Sequence, residues 1–358
     1  MRDRRASLIA FIAAVALWAP ARAAEMSPAM AKVAAAASAE GSVRVMWGSG
    51  VLAGSMGAKM IEEGMNRMFG TTVRVLYVPG DSMPQVGNQI MAEAQAKHAA
   101  SSDVWLAPTT HVGRAQKAGM LKPVDWQALL PGRVSAPMVE ADGGAVRFVS
   151  QMAGVTYNTK LLPDPPKTLV GFLAPEFKGK IATTPYAAAF DIMATDDFWG
   201  LDKTLDFATK LSAQVSALMR CNESSRIADG EVMALLIDCG GDTAYDMADS
   251  GAPVAHYLPR DFLNVRYFYM VVPVNAEHPN AATALIAYML TPEGQALSWR
   301  TWNLDLATFP ESHSAKLIAD AEAGSGKIKE LDVAWWLAHP DAAVALDKVI
   351  KIFRSAAH

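Results

Sequence analysis

Val43-Arg44-Val45-Met46-Trp47-Gly48-Ser49-Gly50 is a β-branched and aromatic run that ends in a glycine-serine turn, and Leu52 to Phe69 beyond it carries apolar residues near helical spacing. Strand, turn, helix is the unit this stretch spells. The unit recurs. Thr72 to Val78 is strand-like and stops at Pro79-Gly80, a helix is predicted from Pro84 to His98, and Asp103 to Ala107 is a buried-type strand ending at Pro108. Three such alternations in succession predict a parallel sheet with helices on its faces. Ligands of such sheets sit at the carboxyl ends of the strands, in the loops that open the next helix.

The alternation resumes downstream. Lys180 to Thr183, Met233 to Asp238 and Ala252 to Leu258 read as strands, and Leu201 to Met219 and Asp242 to Ser250 as helices. Between the blocks lie an extended run, Phe148 to Asn158, and the proline-rich Leu162 to Pro166; after them come a strongly β run, Val265 to Pro273, and helices at Ala281 to Leu290 and Asp341 to Phe353. A first lobe that is interrupted by a second and then completed gives two α/β lobes with a hinge and a cleft between them. The expected division is 24–150 with 262–358 for the first lobe and 155–258 for the second.

Composition sets limits. With 358 residues, 51% apolar, 19% charged and a formal charge of −4, the chain is globular and near the size at which one core divides into two. It shows no basic face of the kind a nucleic acid requires, and beyond the N-terminus no stretch approaches the ~20 apolar residues of a membrane span. At the N-terminus, Arg2, Arg4 and Arg5 precede an apolar run from Leu8 to Trp18 and an Ala21-Arg22-Ala23 cleavage site, so residues 1–23 are expected to be a cleavable signal peptide. Its removal takes away four arginines and one aspartate and brings the formal charge to −7. No cysteine follows the cleavage point to carry a lipid, so a free periplasmic monomer is expected. In that oxidising compartment the two cysteines, Cys221 and Cys239, are expected to form a disulfide worth about 3 kcal/mol on the chain-entropy account.

The succession Gly154-Val155-Thr156-Tyr157-Asn158-Thr159-Lys160, Phe177-Lys178-Gly179-Lys180-Ile181, Asp229-Gly230-Glu231 and Gly251-Ala252-Pro253-Val254 resembles the periplasmic solute-binding proteins of ABC importers. Pro273 to Ala282 and Leu290-Thr291-Pro292-Glu293-Gly294-Gln295 continue the likeness in order, so that it spans roughly Val43 to Leu297. The resemblance implies a type II periplasmic-binding-protein fold of the iron(III)-type branch, a small-molecule solute as ligand and an inner-membrane permease as partner. Iron binders of that branch place a Tyr-Tyr pair shortly after the Gly-Glu; here those positions read Cys239-Gly240-Gly241-Asp242, and the nearest tyrosine is Tyr245. A ferric site is therefore not expected. Relatives without the tyrosines are similar to binders of phosphonates, sugar phosphates, polyamines or thiamine.

Candidate ligand contacts follow from loop position. In the first lobe they are Ser49 and Gly50, Asp81 and Ser82, and Thr109, Thr110 and His111, each group after one strand; ordinary helix capping competes for Ser49 and Ser82. The second lobe offers Thr184, Tyr186, Glu223, Ser224, Gly240, Gly241, Asp242 and Tyr245, the glycines allowing backbone N–H groups to approach a solute. Tyr157 and Arg266 lie at the crossovers, where Arg266 could grip a phosphate or carboxylate or form a structural ion pair. Glycine-hydroxyl loops and Arg266 favour an anion, whereas Asp81, Glu223, Asp238 and Asp242 favour an amine; a zwitterion satisfies both. No metal or cofactor is expected, and the nineteen methionines do not indicate copper, because they are scattered over apolar faces rather than grouped at ligand spacing. Ser49 with His111 could be drawn as a secreted hydrolase, but no orienting third group is apparent and no G-x-S-x-G, H-E-x-x-H or phosphate-loop motif occurs, so no enzymatic activity is expected.

Overall fold

The computed structural model describes residues 26–356. The expected signal peptide lies outside them. The first sheet is built where the opening stretch predicts it: β1 (Ser42–Trp47) pairs in parallel with β2 (Arg74–Pro79), and β3 (Trp105–Pro108) joins β1 through a parallel bridge between Val45 and Val104. Further on in the same layer, β11 (Asn264–Val271) runs antiparallel to β3 and to β5 (Ala145–Gln151), which also pairs with β4 (Val139–Glu140). The short β12 (Lys329–Leu331) lies parallel to the start of β11. Helices α1 (Pro28–Glu40), α2 (Gly54–Phe69), α3 (Met83–Gln95), α4 (Thr109–Lys117) and the single turn α5 (Trp126–Leu129) belong to this lobe. The α1 helix carries Ser27 as its N-cap, Pro28 in its first turn and Gly41 in the left-handed conformation after it, a complete set of start and stop residues.

The second sheet has the order β10 (Val254–Tyr257), β6 (Val155–Asn158), β9 (Ala234–Leu236), β7 (Ile181–Thr183), β8 (Val215–Leu218). The β7 strand is parallel to both its neighbours, while β6 is antiparallel to β9 and β10. Each lobe has its own apolar core: Val45, Trp47, Trp105, Phe148 and Tyr269 in the first, Val155, Phe172, Ile181, Phe190 and Leu236 in the second. The chain crosses at Met152-Ala153-Gly154 and returns between β10 and β11. This is the two-lobed α/β fold, with both sheets mixed rather than purely parallel.

Two expectations are corrected here. The helix predicted over 201–219 is α7 (Leu201–Ser212) followed by β8, because Gln214 leaves the helix to donate its side-chain amide to the carbonyls of Leu173 and Ala174, and Val215 onward then pairs with β7. The C-terminal segment also does not belong wholly to the first lobe. After α10 (Pro279–Met289), α11 (Pro292–Trp302) and α12 (His313–Ser325), α13 (Val333–Ala338) packs on α4. By contrast, α14 (Ala342–Ala356) packs on α7 and α6 (Phe190–Met193), with Val349 and Phe353 inside the second core.

The disulfide between Cys221 and Cys239 is present. It ties the segment after β8, which leads into α8 (Ser225–Ala228), to the loop after β9.

Candidate functional site

A cavity of about 880 Å³ opens between the lobes at the carboxyl ends of the first-lobe strands. Its volume lies in the range of small-molecule sites. Gly48 and Val51 come from the loop after β1, Asp81 and Ser82 from the loop after β2, Met83 and Pro84 from the first turn of α3, and Pro108 to Thr110 from the end of β3 and the first turn of α4. Gln151 and Arg266 stand directly opposite one another in the β5–β11 ladder and share a face, and Phe268, two residues along, follows the period of the strand onto the same side. The second lobe adds Tyr186, Asp191 and Cys239, and Trp336 of α13 completes the wall.

Arg266 is the chemical centre. Among the described residues its guanidinium forms no hydrogen bond and no ion pair, although the cavity holds it half-buried. Burial pulls its proton affinity down from the ordinary value, and the fields of Asp191 and Asp238 oppose that. Asp191 is half-buried too; burial pushes its carboxyl up, against the pull of Arg266, and it accepts the backbone N–H of Ile192 at 3.0 Å. A guanidinium left without a partner in such a place has its N–H groups ready to donate to a phosphate or carboxylate.

Tyr186 is set by the disulfide. Its hydroxyl lies 3.1 Å from the Cys221 sulfur and 3.3 Å from that of Cys239, and it accepts the Cys221 N–H at 3.1 Å. The loop that carries it has Ala187 and Ala189 at φ of 50° and 59°, and Thr184 supports it by accepting the Ala188 N–H. Similar left-handed residues occur in the loops after β1, at Leu52 and Ala53, and after β9, at Ile237.

Of the candidate residues, Asp81, Ser82, Thr109, Thr110, Tyr186 and Arg266 face this cavity. Ser82 begins α3 with its hydroxyl on Gln85, and Thr109 donates to the Tyr267 carbonyl, so each of these hydroxyls has a structural partner as well. Ser49 and Gly50 share the loop of Gly48 but are exposed and outside the lining; α2 starts only at Gly54, so Ser49 does not cap it. The loop expected at Thr109 to His111 is the first turn of α4, and His111 turns away to meet the edge of Trp105, where burial lowers its pKa.

The other candidates serve the second lobe itself. Tyr157 packs edge-on against Tyr257. Glu223 accepts the backbone N–H of Arg220, and buried Ser224 bonds the Cys221 carbonyl and Thr243. Gly240 and Gly241 are required by packing: a Cβ would come within 2.7 Å of Gln151 and 2.5 Å of the His256 ring, respectively. Asp242 is half-buried in the first turn of α9 (Asp242–Asp249). Tyr245 bonds His256 and packs on Trp299, lining a separate cavity of about 320 Å³ behind the crossover.

Sequence reasoning missed Gln151, Asp191 and Trp336. Asp191 alone had a local sign, one acid inside the apolar run Phe190-Asp191-Ile192-Met193 shortly after a strand.

The geometry so far describes a cleft for a small solute, and comparison with known proteins supplies the family. The family described as bacterial extracellular solute-binding protein matches residues 59–326. The chain belongs to that family. No curated protein matches the sequence. Solved structures that resemble this solute-binding protein include iron-bound HitA from Pseudomonas aeruginosa, 20% identical with a TM-score of 0.66 over 87% of this chain and 99% of that one. The substrate-binding protein of an ABC transporter from Agrobacterium tumefaciens is 17% identical, with a TM-score of 0.69 over 87% of this chain and 94% of that one. AfuA from Actinobacillus pleuropneumoniae, with fructose-6-phosphate bound, is 18% identical, with a TM-score of 0.64 over 87% of this chain and 98% of that one. At these identities the likeness establishes the shared fold. Among the described residues of this solute-binding protein, no group of three or more His, Cys, Asp or Glu converges as metal ligands would.

Proposed function

We propose that this protein is the periplasmic receptor of an ABC importer and that it captures a small organic solute through an anionic group, a phosphonate, phosphate ester or carboxylate, seated on Arg266. In this reading the first lobe comprises residues 26–150 and 262–341, and the second comprises 155–258 with the C-terminal helix. Solute that touches both lobes draws an open form toward a closed one, and the closed form is what a permease receives. Capture, not turnover, is the activity.

The observation that carries the reading is the Arg266 guanidinium, which among the described residues forms no hydrogen bond or ion pair, at the point where β11 returns from the second lobe. Thr110 stands in the same cavity, and its hydroxyl can donate to a remaining anion oxygen. A thermal-shift and calorimetric screen of phosphonates, phosphate esters, polyamines, thiamine and ferric citrate tests it. The expected result is that phosphonates or phosphate esters raise the melting temperature and that Arg266→Ala lowers their affinity by about tenfold or more while the variant stays folded. Unchanged affinity in Arg266→Ala would remove the guanidinium from the site.

A further inference from the structure

We infer that Asp191 is the seat for a cationic amine on the same solute, which makes the ligand a zwitterion whose anionic end lies on Arg266 and whose ammonium end faces the second lobe. The inference rests on the reading of Arg266 as the anion site and extends it to the opposite wall.

Asp191 and Arg266 line one cavity from different lobes, and among the described residues neither forms an ion pair with the other or with a third side chain. Opposite charges held half-buried without a direct contact offset one another only in part, and a ligand that brings the complementary charge to each recovers more of the cost. A simple anion satisfies Arg266 and leaves Asp191 facing its negative charge. A simple diamine does the reverse. A zwitterion answers both walls at once and gains from bringing the lobes together, since each end is anchored on a different lobe. Asp81, the other carboxylate of the lining, is exposed on the first-lobe rim, where water and salt screen it. Met83, Phe268 and Trp336 give the same cavity an apolar lining that suits a short carbon chain.

The full mature chain is titrated calorimetrically with matched pairs: 2-aminoethylphosphonate against ethylphosphonate, and phosphoethanolamine against ethyl phosphate, with putrescine as the anion-free probe. Wild type, Asp191→Asn and Arg266→Ala are compared, each checked for folding by circular dichroism. The expected result is that the wild type prefers the amine-bearing member of a pair by about tenfold or more. Asp191→Asn abolishes that preference without weakening the amine-free anion. Equal affinity for both members of each pair, or an equal loss for both in Asp191→Asn, overturns the amine seat while Arg266 stands. Tighter ethylphosphonate binding in Asp191→Asn with no amine preference in the wild type means that Asp191 serves only as the counter-charge of Arg266, and this also overturns it. Binding of putrescine alone, insensitive to Arg266→Ala, or no binding by any probe at millimolar concentration, sinks the anion reading together with this one.

Discussion

At the scale of single residues, three loops that end strands beside the cleft contain residues in the left-handed conformation, as Lys97, Ala141, Asp142 and Asn303 do elsewhere. Leu52, Ala53, Ala187, Ala189 and Ile237 all have φ between 48° and 59°, and all lie in loops that follow β1, β7 or β9. Each costs roughly 1 kcal/mol relative to a right-handed conformation, and such strain gathers where loops are held for a ligand. Asp242 shows a different cost. Burial pushes its carboxyl up to about 6 from the ordinary 3.8, opposed by the Thr243 N–H and assisted by the Asp238 charge. A raised folded-state pKa favours the neutral acid, so its stabilising contribution is complete below about pH 4 and fades as pH rises through about 6. Asp242→Asn is therefore expected to flatten that part of the stability profile and to raise stability at pH 7 by roughly 1–2 kcal/mol, read by urea denaturation at pH 4 and pH 7. A variant as pH-sensitive as the wild type over this range would show that Asp242 is not the group responsible. Loop position after a strand pointed to Asp81, Ser82, Thr109 and Thr110, and position at the crossover pointed to Arg266, all of which line the cavity. It could not show that Gly240 and Gly241 yield to the side chains of Gln151 and His256, because those contacts join segments nearly ninety and about fifteen residues apart in sequence.

Elements were read well where periodicity was long and bounded, as for β1 with α2 or for α10, and poorly where a single polar residue redirects the chain. Gln214 is such a residue: nothing local distinguishes it from a helical glutamine, yet its amide caps two carbonyls across the lobe and frees Val215 to Leu218 for the sheet. The Trp336 wall was invisible for a related reason, since α13 reaches the cleft only by packing on α4. The cysteine pair was legible from count and compartment, but its place beside the cleft was not. Because the bridge holds the segment after β8 against the loop after β9 and underlies the Tyr186 hydroxyl, replacing both cysteines by serine is expected to act twice. Stability should fall by about 3 kcal/mol, measured by chemical denaturation, and solute affinity should fall with it as Tyr186 loses its support. Full stability and affinity in the double variant would remove both roles.

At the scale of the whole molecule, the alternation of strands and helices, interrupted and resumed, was enough to foresee two lobes joined by crossovers. The C-terminal helix was harder. Its apolar face says that it packs, but not on which lobe, and the structure seats Val349 and Phe353 against the second core while α13 stays on the first. Residues 333–356 thus form a further connection between the lobes, and closure around a solute must carry α13 and α14 with it. Small-angle X-ray scattering of the mature protein, with and without saturating 2-aminoethylphosphonate or the tightest binder of the screen, measures that closure. The account predicts a smaller radius of gyration on addition of solute to the wild type and no change for Arg266→Ala; identical scattering from solute-free and solute-saturated wild type would contradict it.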